Sequence, residues 1–321
     1  MTTPLLRGLA LTAALALTTT PASALNILLS NDDGLTSNVK ALYDSLKAAG
    51  HDVLVSVPCS PQSGRGAGIV MYSSTVIQAD NDSQITKENG CHNGAAPIGA
   101  PAAGAFTKDG YTNGDWYYTH GTPVMATLYG LDIVGQSRWG KLPDLVISGP
   151  NEGQNIGSVI IASGTVSNAQ IALSRGVPSI ALSADSNTVD DAGLANANSK
   201  VVANLSVQLL NKLIAQQGQG ALLPAGIALN VNFPKAVTAS TPFAFSRVGT
   251  YNGYALTIRN NNGTFSMSAN VNTQTPTAAQ REDESVVVSN KVAVTAMQFG
   301  YESRPVAQEW LRLRLKSVNG Q

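Results

Sequence analysis

The residues from Leu25 to Ser30 form a continuous apolar run of strand length, closed by the polar tetrad Asn31-Asp32-Asp33-Gly34. A run without alternation reads as a buried, parallel strand that stops in a turn. Ser37 or Asn38 can cap the following helix, whose apolar residues Val39, Leu42, Leu46 and Ala49 keep three-and-four spacing up to Gly50. Asp52 to Val57 is again strand-like, so residues 25–57 make one βαβ unit. The pattern repeats further on. Leu145 to Ser148 is a strand, Gly149 to Gly157 a polar loop, and a helix starts near Ser163-Gly164-Thr165 and runs to Arg175, with Gly176 as its stop. Val177 to Ser183 is the next strand. Lys200 to Gln216 carries Val202, Leu205, Leu209 and Leu213 on one helical face, and Ile227 to Phe233 returns as strand. This alternation predicts an α/β fold with a doubly wound, Rossmann-like, mainly parallel sheet.

Three stretches break the rhythm. Residues 80–118 are rich in Asn, Gly, Ala and Asp and read as a long surface insertion. Residues 236–290 hold short strand-like pieces separated by Asn-Asn-Gly and Thr-Pro, as in hairpins. Trp310 to Leu315 alternates Leu and Arg and predicts a last strand or arm. The organisation expected is a leader at 1–24, an α/β domain at 25–235 carrying the insertion, and a hairpin and C-terminal extension of that domain at 236–321.

The leader is expected from the N-terminus itself. Arg7 precedes an apolar run from Gly8 to Leu17, then Pro21 and the small residues Ala22-Ser23-Ala24. Such a run is too short to span a bilayer and matches the layout of a cleaved signal peptide, so export to the periplasm or the medium is expected; the alternative is a buried helix or retained anchor. No later stretch reaches the roughly 18 apolar residues of a membrane span. In an oxidising compartment Cys59 and Cys91, the only two cysteines, become a disulfide candidate, the alternative being two separate thiols. Two Cys with His51, His92 and His120 scattered among them make no zinc motif. Lys plus Arg number 20 against 20 Asp plus Glu, and 43% of residues are hydrophobic. That balance excludes a disordered chain and argues against a nucleic-acid polymer as partner.

Ligands of doubly wound folds bind outside the carboxyl ends of the strands, which selects three loops. In the first, the adjacent Asp32 and Asp33 repel unless a positive charge joins them, so the loop is either a seat for a hard divalent cation or a turn in which one Asp caps the next helix. The second, Cys59 to Gly68, has three closely spaced glycines, with Ser63 as an oxygen donor and Arg65 as a phosphate partner; a flexible linker is the other reading. The third, Ser148 to Gly157, carries Asn151 and Asn155 and leads to Ser163-Gly164-Thr165, where hydroxyls and free N–H groups at a helix start suit a phosphate; a plain Ser cap is the other reading.

Taken together, Ser30-Asn31-Asp32-Asp33-Gly34, Ser63-Gly64, His120-Gly121-Thr122-Pro123, Ser148-Gly149-Pro150-Asn151, Asn155-Ile156-Gly157 and Ser163-Gly164-Thr165-Val166 resemble the SurE family, in family order. Leu229 to Pro234 and Val292 to Met297 match that family's late strand and C-terminal hairpin region, so the resemblance runs from about residue 26 to 298. It implies a metal-dependent phosphatase acting on nucleoside 5′- or 3′-monophosphates, an acid phosphatase or nucleotidase. It further implies one divalent cation per subunit, Mg²⁺ or Mn²⁺, held by Asp32, Asp33, Ser63 and Asn151. Asp32 and Asp33 would be catalytic, and Asn155, Ser163, Gly164 and Thr165 would surround the phosphate of a small-molecule phosphomonoester. A homodimer or homotetramer built through C-terminal segments is implied as well, with Val286 to Val288 and Trp310 to Leu315 as contacts. The chain departs from the family at Pro61-Gln62-Ser63, at Glu152 and Gln154, in the 80–118 insertion and in its leader, which leaves substrate preference open. The competing functional class is a secreted protein that binds a phosphorylated ligand without hydrolysis. A receiver-like signalling domain also pairs Asp residues after its first strand, but the leader and chain length argue against it.

Overall fold

Each apolar run becomes a strand because its neighbours bury both of its faces. The computed structural model describes residues 24–70, 75–79, 85, 90–218, 220–301 and 305–314. The expected leader lies outside them except for Ala24. In chain order the elements are β1 (Asn26–Ser30), α1 (Ser37–Ala48), β2 (Asp52–Pro58), β3 (Ala103–Ala105), β4 (Trp116–Thr119), α2 (Pro123–Tyr129), α3 (Gly135–Trp139), β5 (Leu145–Glu152), α4 (Gly164–Ser174), β6 (Ser179–Ala184), α5 (Ala197–Gln217), β7 (Ile227–Asn232), β8 (Phe243–Ser246), β9 (Tyr254–Asn261), β10 (Thr264–Val271), α6 (Glu284–Val287), β11 (Val292–Gln298) and α7 (Pro305–Arg314).

Among the described residues nine strands form one sheet in the order β3-β4-β2-β1-β5-β6-β7-β11-β8. From β4 to β7 every pairing is parallel. The antiparallel joins are β3 to β4 and β7 to β11. Strand order reverses direction about β1, the switch point at which ligand sites of such sheets lie. One sheet face, with Ile27 and Leu29, packs on Val39, Leu42 and Leu46 of α1 and Val202, Leu205 and Leu210 of α5. The other, with Leu28, Leu54 and Val146, packs on Leu131 and Ala172, on the side of α2 and α4. This two-sided burial is why β1 shows no polar alternation.

Several expectations change. The cap of α1 is Thr36, whose hydroxyl accepts from the Val39 N–H at 3.3 Å. Ser37 and Asn38 serve tertiary contacts instead: the Ser37 N–H donates to Asp191 at 2.6 Å, and Asn38 Nδ2 to the Thr188 hydroxyl at 2.9 Å. The described part of the 80–118 segment is not a mere surface insertion. It adds β3 and β4 to the sheet and buries Phe106, Tyr111, Trp116 and Tyr118 in the main core, with the Tyr43 and Trp116 rings 4.5 Å apart. Aromatic residues spaced irregularly through polar sequence leave no periodic trace, yet each buries a large area. The Cys59–Cys91 disulfide is formed.

The expected hairpin exists as the antiparallel ribbon of β9 and β10. Trp310 to Arg314, expected as strand, belongs to α7; five residues of Leu–Arg alternation are outweighed by a ten-residue stretch of helix formers that opens with Pro305 and ends with Arg312 and Arg314. Leu315 lies outside the described residues. Of the expected contact residues Val286 to Val288, Val288 is buried within its own chain against Ile156 and Ala293, which takes it out of any contact surface.

Candidate active site

The carboxyl ends of β1 and β5 and the start of α4 converge. Asn31 closes the turn after β1: its Nδ2 donates to the Gly34 carbonyl at 2.7 Å and its Oδ1 accepts from the Gly34 N–H at 3.1 Å. Asn168 of α4 ties the turn to the helix by donating to the Asn31 carbonyl at 3.1 Å. Asp32 and Asp33 are thereby held in the interior, 3% and 5% exposed.

Asp32 is fixed from both sides. Its Oδ1 accepts from the Thr165 hydroxyl at 2.5 Å, and its carbonyl accepts from the Gln62 N–H at 2.7 Å. The second bond draws the glycine-rich loop to β1 and sets Ser63, exposed, one residue away. Gly164 presses so closely on Asp32 that an added Cβ would stand 2.7 Å from the Asp32 Cβ. The same Cβ would meet Pro123 at 2.8 Å, which brings the His120-Gly121-Thr122-Pro123 element against the start of α4. Asp33 accepts from the Glu152 N–H at 3.3 Å.

Asp32 and Asp33 therefore lie side by side with little water, and Glu152, half-buried, is joined to Asp33 through its backbone N–H. Burial raises Asp32, with the Thr165 hydrogen bond opposing it. Burial, then the charges of Asp32 and Glu152, drive Asp33 well above the usual carboxylate range. Burial, then the charges of Asp191 and Asp32, push Glu152 up to about 8. The Glu152 Oε1 is buried with no hydrogen-bond partner. Mutually repelling, desolvated carboxylates and an orphaned carboxyl oxygen are what a bound cation relieves, so the residues fit one. Among the described residues no three His, Cys, Asp or Glu side chains form a metal-holding group. The donor types Asp32, Asp33, Ser63 and Asn151 are all oxygen and hard, suited to Mg²⁺ or Mn²⁺ rather than to a thiolate-loving ion.

The remaining expected residues line the adjoining loop. Asn151 Nδ2 donates to the Gly153 carbonyl at 2.7 Å. Ser163 is the cap of α4, its hydroxyl accepting from the Val166 N–H at 3.1 Å, so the capping role weighed as an alternative is in place. Asn155 is an anchor in this structure. Its Nδ2 donates to Ser183 at 2.9 Å and its N–H to Asn232 Oδ1 at 2.8 Å, while its carbonyl accepts from Asn230 and Asn232.

Some residues of this neighbourhood escaped the sequence reading. Glu284 of α6 is wholly buried; it accepts from the Gly157 N–H at 2.8 Å, from Asn230 at 3.0 Å and from Thr295 at 3.0 Å. Asn230 and Asn232 did leave a signal, being two amides on one face of an otherwise apolar strand. Glu284, 54 positions from Asn230, left none.

These features define a doubly wound α/β protein with an acidic, oxygen-donor site at its switch point, facing a helix N-terminus. The comparisons place it further. The family model described as Survival protein SurE matches residues 27–253. An acid phosphatase of Yarrowia lipolytica is 34% identical over 219 residues, which cover 66% of this chain and 57% of that protein. A 5′-nucleotidase SurE of Picosynechococcus is 29% identical over 221 residues, covering 67% of this chain and 65% of the relative. For the 5′-nucleotidase SurE of Methanocella arvoryzae the figures are 30% over 227 residues, 69% and 71%. The crystal structure of the SurE protein from Aquifex aeolicus shares the fold, with a TM-score of 0.61 at 24% identity over 90% of this chain and 99% of that one. The chain belongs to the SurE family. It spans less than two thirds of the length of the Yarrowia and Picosynechococcus relatives.

Proposed function

We propose that the protein is a metal-dependent phosphomonoesterase that hydrolyses nucleoside 5′- or 3′-monophosphates. One observation carries the reading: a buried Asp32, joined by its carboxylate to Thr165 in the first turn of α4, lies beside Asp33 at the sheet's switch point. The names borne by its relatives, acid phosphatase and 5′-nucleotidase, point to the same chemistry. A divalent cation held by Asp32, Asp33, Ser63 and Asn151 would supply Lewis-acid stabilisation of the phosphoryl group.

The chain's own groups do the rest. The first-turn N–H groups of α4, at Gly164 and Thr165, present the positive end of the helix to the equatorial phosphoryl oxygens, and Ser163 holds that turn in shape. Asp32, oriented by Thr165, accepts the proton of the water that attacks phosphorus in line with the leaving oxygen. Catalysis is thus positioning and charge stabilisation on a rigid sheet edge.

The reading includes export and self-association. The N-terminal sequence and the Cys59–Cys91 bridge are consistent with an oxidising destination, periplasm or medium. No helix among the described residues is long and apolar enough to cross a membrane. The apolar face of the β9–β10 ribbon, where Ile258, Phe265 and Met267 are more than 70% exposed, and the exposed Trp310, Leu311 and Leu313 of α7 are the contacts of a homodimer or homotetramer. A panel of nucleoside monophosphates and other phosphomonoesters, assayed with Mg²⁺, Mn²⁺ or a chelator, tests the activity. Asp32→Asn is expected to lose it; full turnover by that variant at saturating metal refutes the assignment.

A further inference from the structure

We propose that His92 is a further catalytic residue of this site, the proton donor to the leaving-group oxygen, with Asp191 as the carboxylate that orients its ring; the proposal rests on the phosphomonoesterase reading. His92 comes from the 80–118 segment, and the structure brings it to the acidic turn. Cys91 is bonded to Cys59, the residue that follows the carboxyl end of β2. The His92 N–H donates to the Cys59 carbonyl at 2.7 Å, which fixes the backbone of the histidine at the sheet edge. Next to Asp33, Gly34 turns with φ +84°, and a Cβ on it would lie 3.3 Å from the His92 Cβ and 3.1 Å from the Pro58 carbonyl. A side chain there would crowd the histidine by a few tenths of an ångström, on a left-handed backbone that favours glycine.

The ring is oriented as well as placed. His92 Nε2 lies 3.4 Å from Asp191 Oδ2, and that carboxylate is itself held by the Ser37 N–H at 2.6 Å and by Asn93 Nδ2 at 3.0 Å. Gly34, against which His92 sits, follows Asp33 directly in the chain, so the pair borders the acidic turn. An ordinary surface ion pair lacks such a frame, with both partners free in solvent. His92, its side chain one third exposed, is at once framed and open to a substrate.

With Nε2 turned to Asp191, Nδ1 is the nitrogen left to donate. As the oxygen of water bonds to phosphorus, the bond from phosphorus to the leaving oxygen breaks and its electron pair stays on that oxygen. The proton on Nδ1 passes to it, giving the free alcohol and a neutral imidazole, and solvent reprotonates the ring. An alkoxide needs this proton; a nitrophenolate, stable as an anion, does not.

The test compares p-nitrophenyl phosphate with glycerol 2-phosphate in the wild type, His92→Gln and Asp191→Asn, each with Mg²⁺ or Mn²⁺. In His92→Gln the ratio of kcat on the aryl ester to kcat on the alkyl ester should rise about 10²-fold. Asp191→Asn should move it the same way by a smaller factor, which keeps the proposal testable if His92→Gln folds poorly. A ratio within about threefold of wild type in both variants overturns it, whether the two rates fall together or neither falls. Wild type inactive on both esters removes the phosphomonoesterase reading and this proposal together; wild type active with an unmoved ratio removes this proposal alone.

Discussion

Gly164→Ala separates the stability of the fold from the placement of Asp32. The new methyl would stand 2.7 Å from the Asp32 Cβ, 2.8 Å from Pro123 Cγ and 3.0 Å from Asp32 Oδ2. Carbon atoms pack best at about 3.5–4.0 Å, so Asp32 or the helix start must retreat by roughly 1 Å. Overpacking of that kind costs about 1–3 kcal/mol, while alanine in place of glycine returns up to about 1 kcal/mol of helix propensity. The net loss of stability is about 1 kcal/mol, a melting shift of roughly 2–4 °C. A displacement of about 1 Å in a positioned group costs about 10²-fold in turnover, a far larger effect. Thermal melting together with kcat on p-nitrophenyl phosphate at saturating Mg²⁺ or Mn²⁺ reads both. If kcat stays within about twofold of wild type, the close contact between α4 and Asp32 does not set catalytic geometry and the reasoning fails.

Two predictions concern the C-terminal part. Glu284→Ala strands the donors of Gly157 and Asn230 in the interior, while the Thr295 hydroxyl can turn to Ser246; at about 1 kcal/mol or more for each unpaired group the loss is about 2 kcal/mol in urea unfolding, whereas Glu284→Gln keeps part of the bonding and loses less. Asp283 bears on acid stability: burial raises its carboxyl, but Arg247 and the Tyr251 and Thr250 N–H groups outweigh it and leave the folded value below the ordinary 3.8. Its contribution is therefore present above that value and is lost as pH falls through the folded one. Asp283→Asn should lower stability at neutral pH and flatten the fall below about pH 4, measured as unfolding midpoints across pH; an unchanged acid limb contradicts the ion-pair account.

Much of the site was legible because its parts are local. The turn after β1, the SGT start of α4 and the loop after β5 are each short, and their residue types belong at strand ends and helix starts. What eluded the sequence lies in long-range pairings. Ser37 and Asn38 look like caps by type, yet partners at Asp191 and Thr188, some 150 positions away, claim them, and Thr36 takes the cap. Asn155, expected beside the phosphate, also has partners the sequence did not show: Ser183, Asn230 and Asn232 tie it into the loop framework.

By itself, the sequence determined the alternating strands and helices of the parallel core, β1-α1-β2 and β5-α4-β6-α5-β7, the two-sided burial of those strands and the loops that meet at their edge, because those depend on hydrophobic period and local backbone preference. Tertiary structure decided which polar groups are shared. It gathered Asp32, Asp33 and Glu152 until their charges oppose one another, brought Gly164 against Asp32, and let a disulfide set His92 beside Asp191. Contacts of that kind depend on distances between segments far apart in the chain, and periodicity carries no information about them.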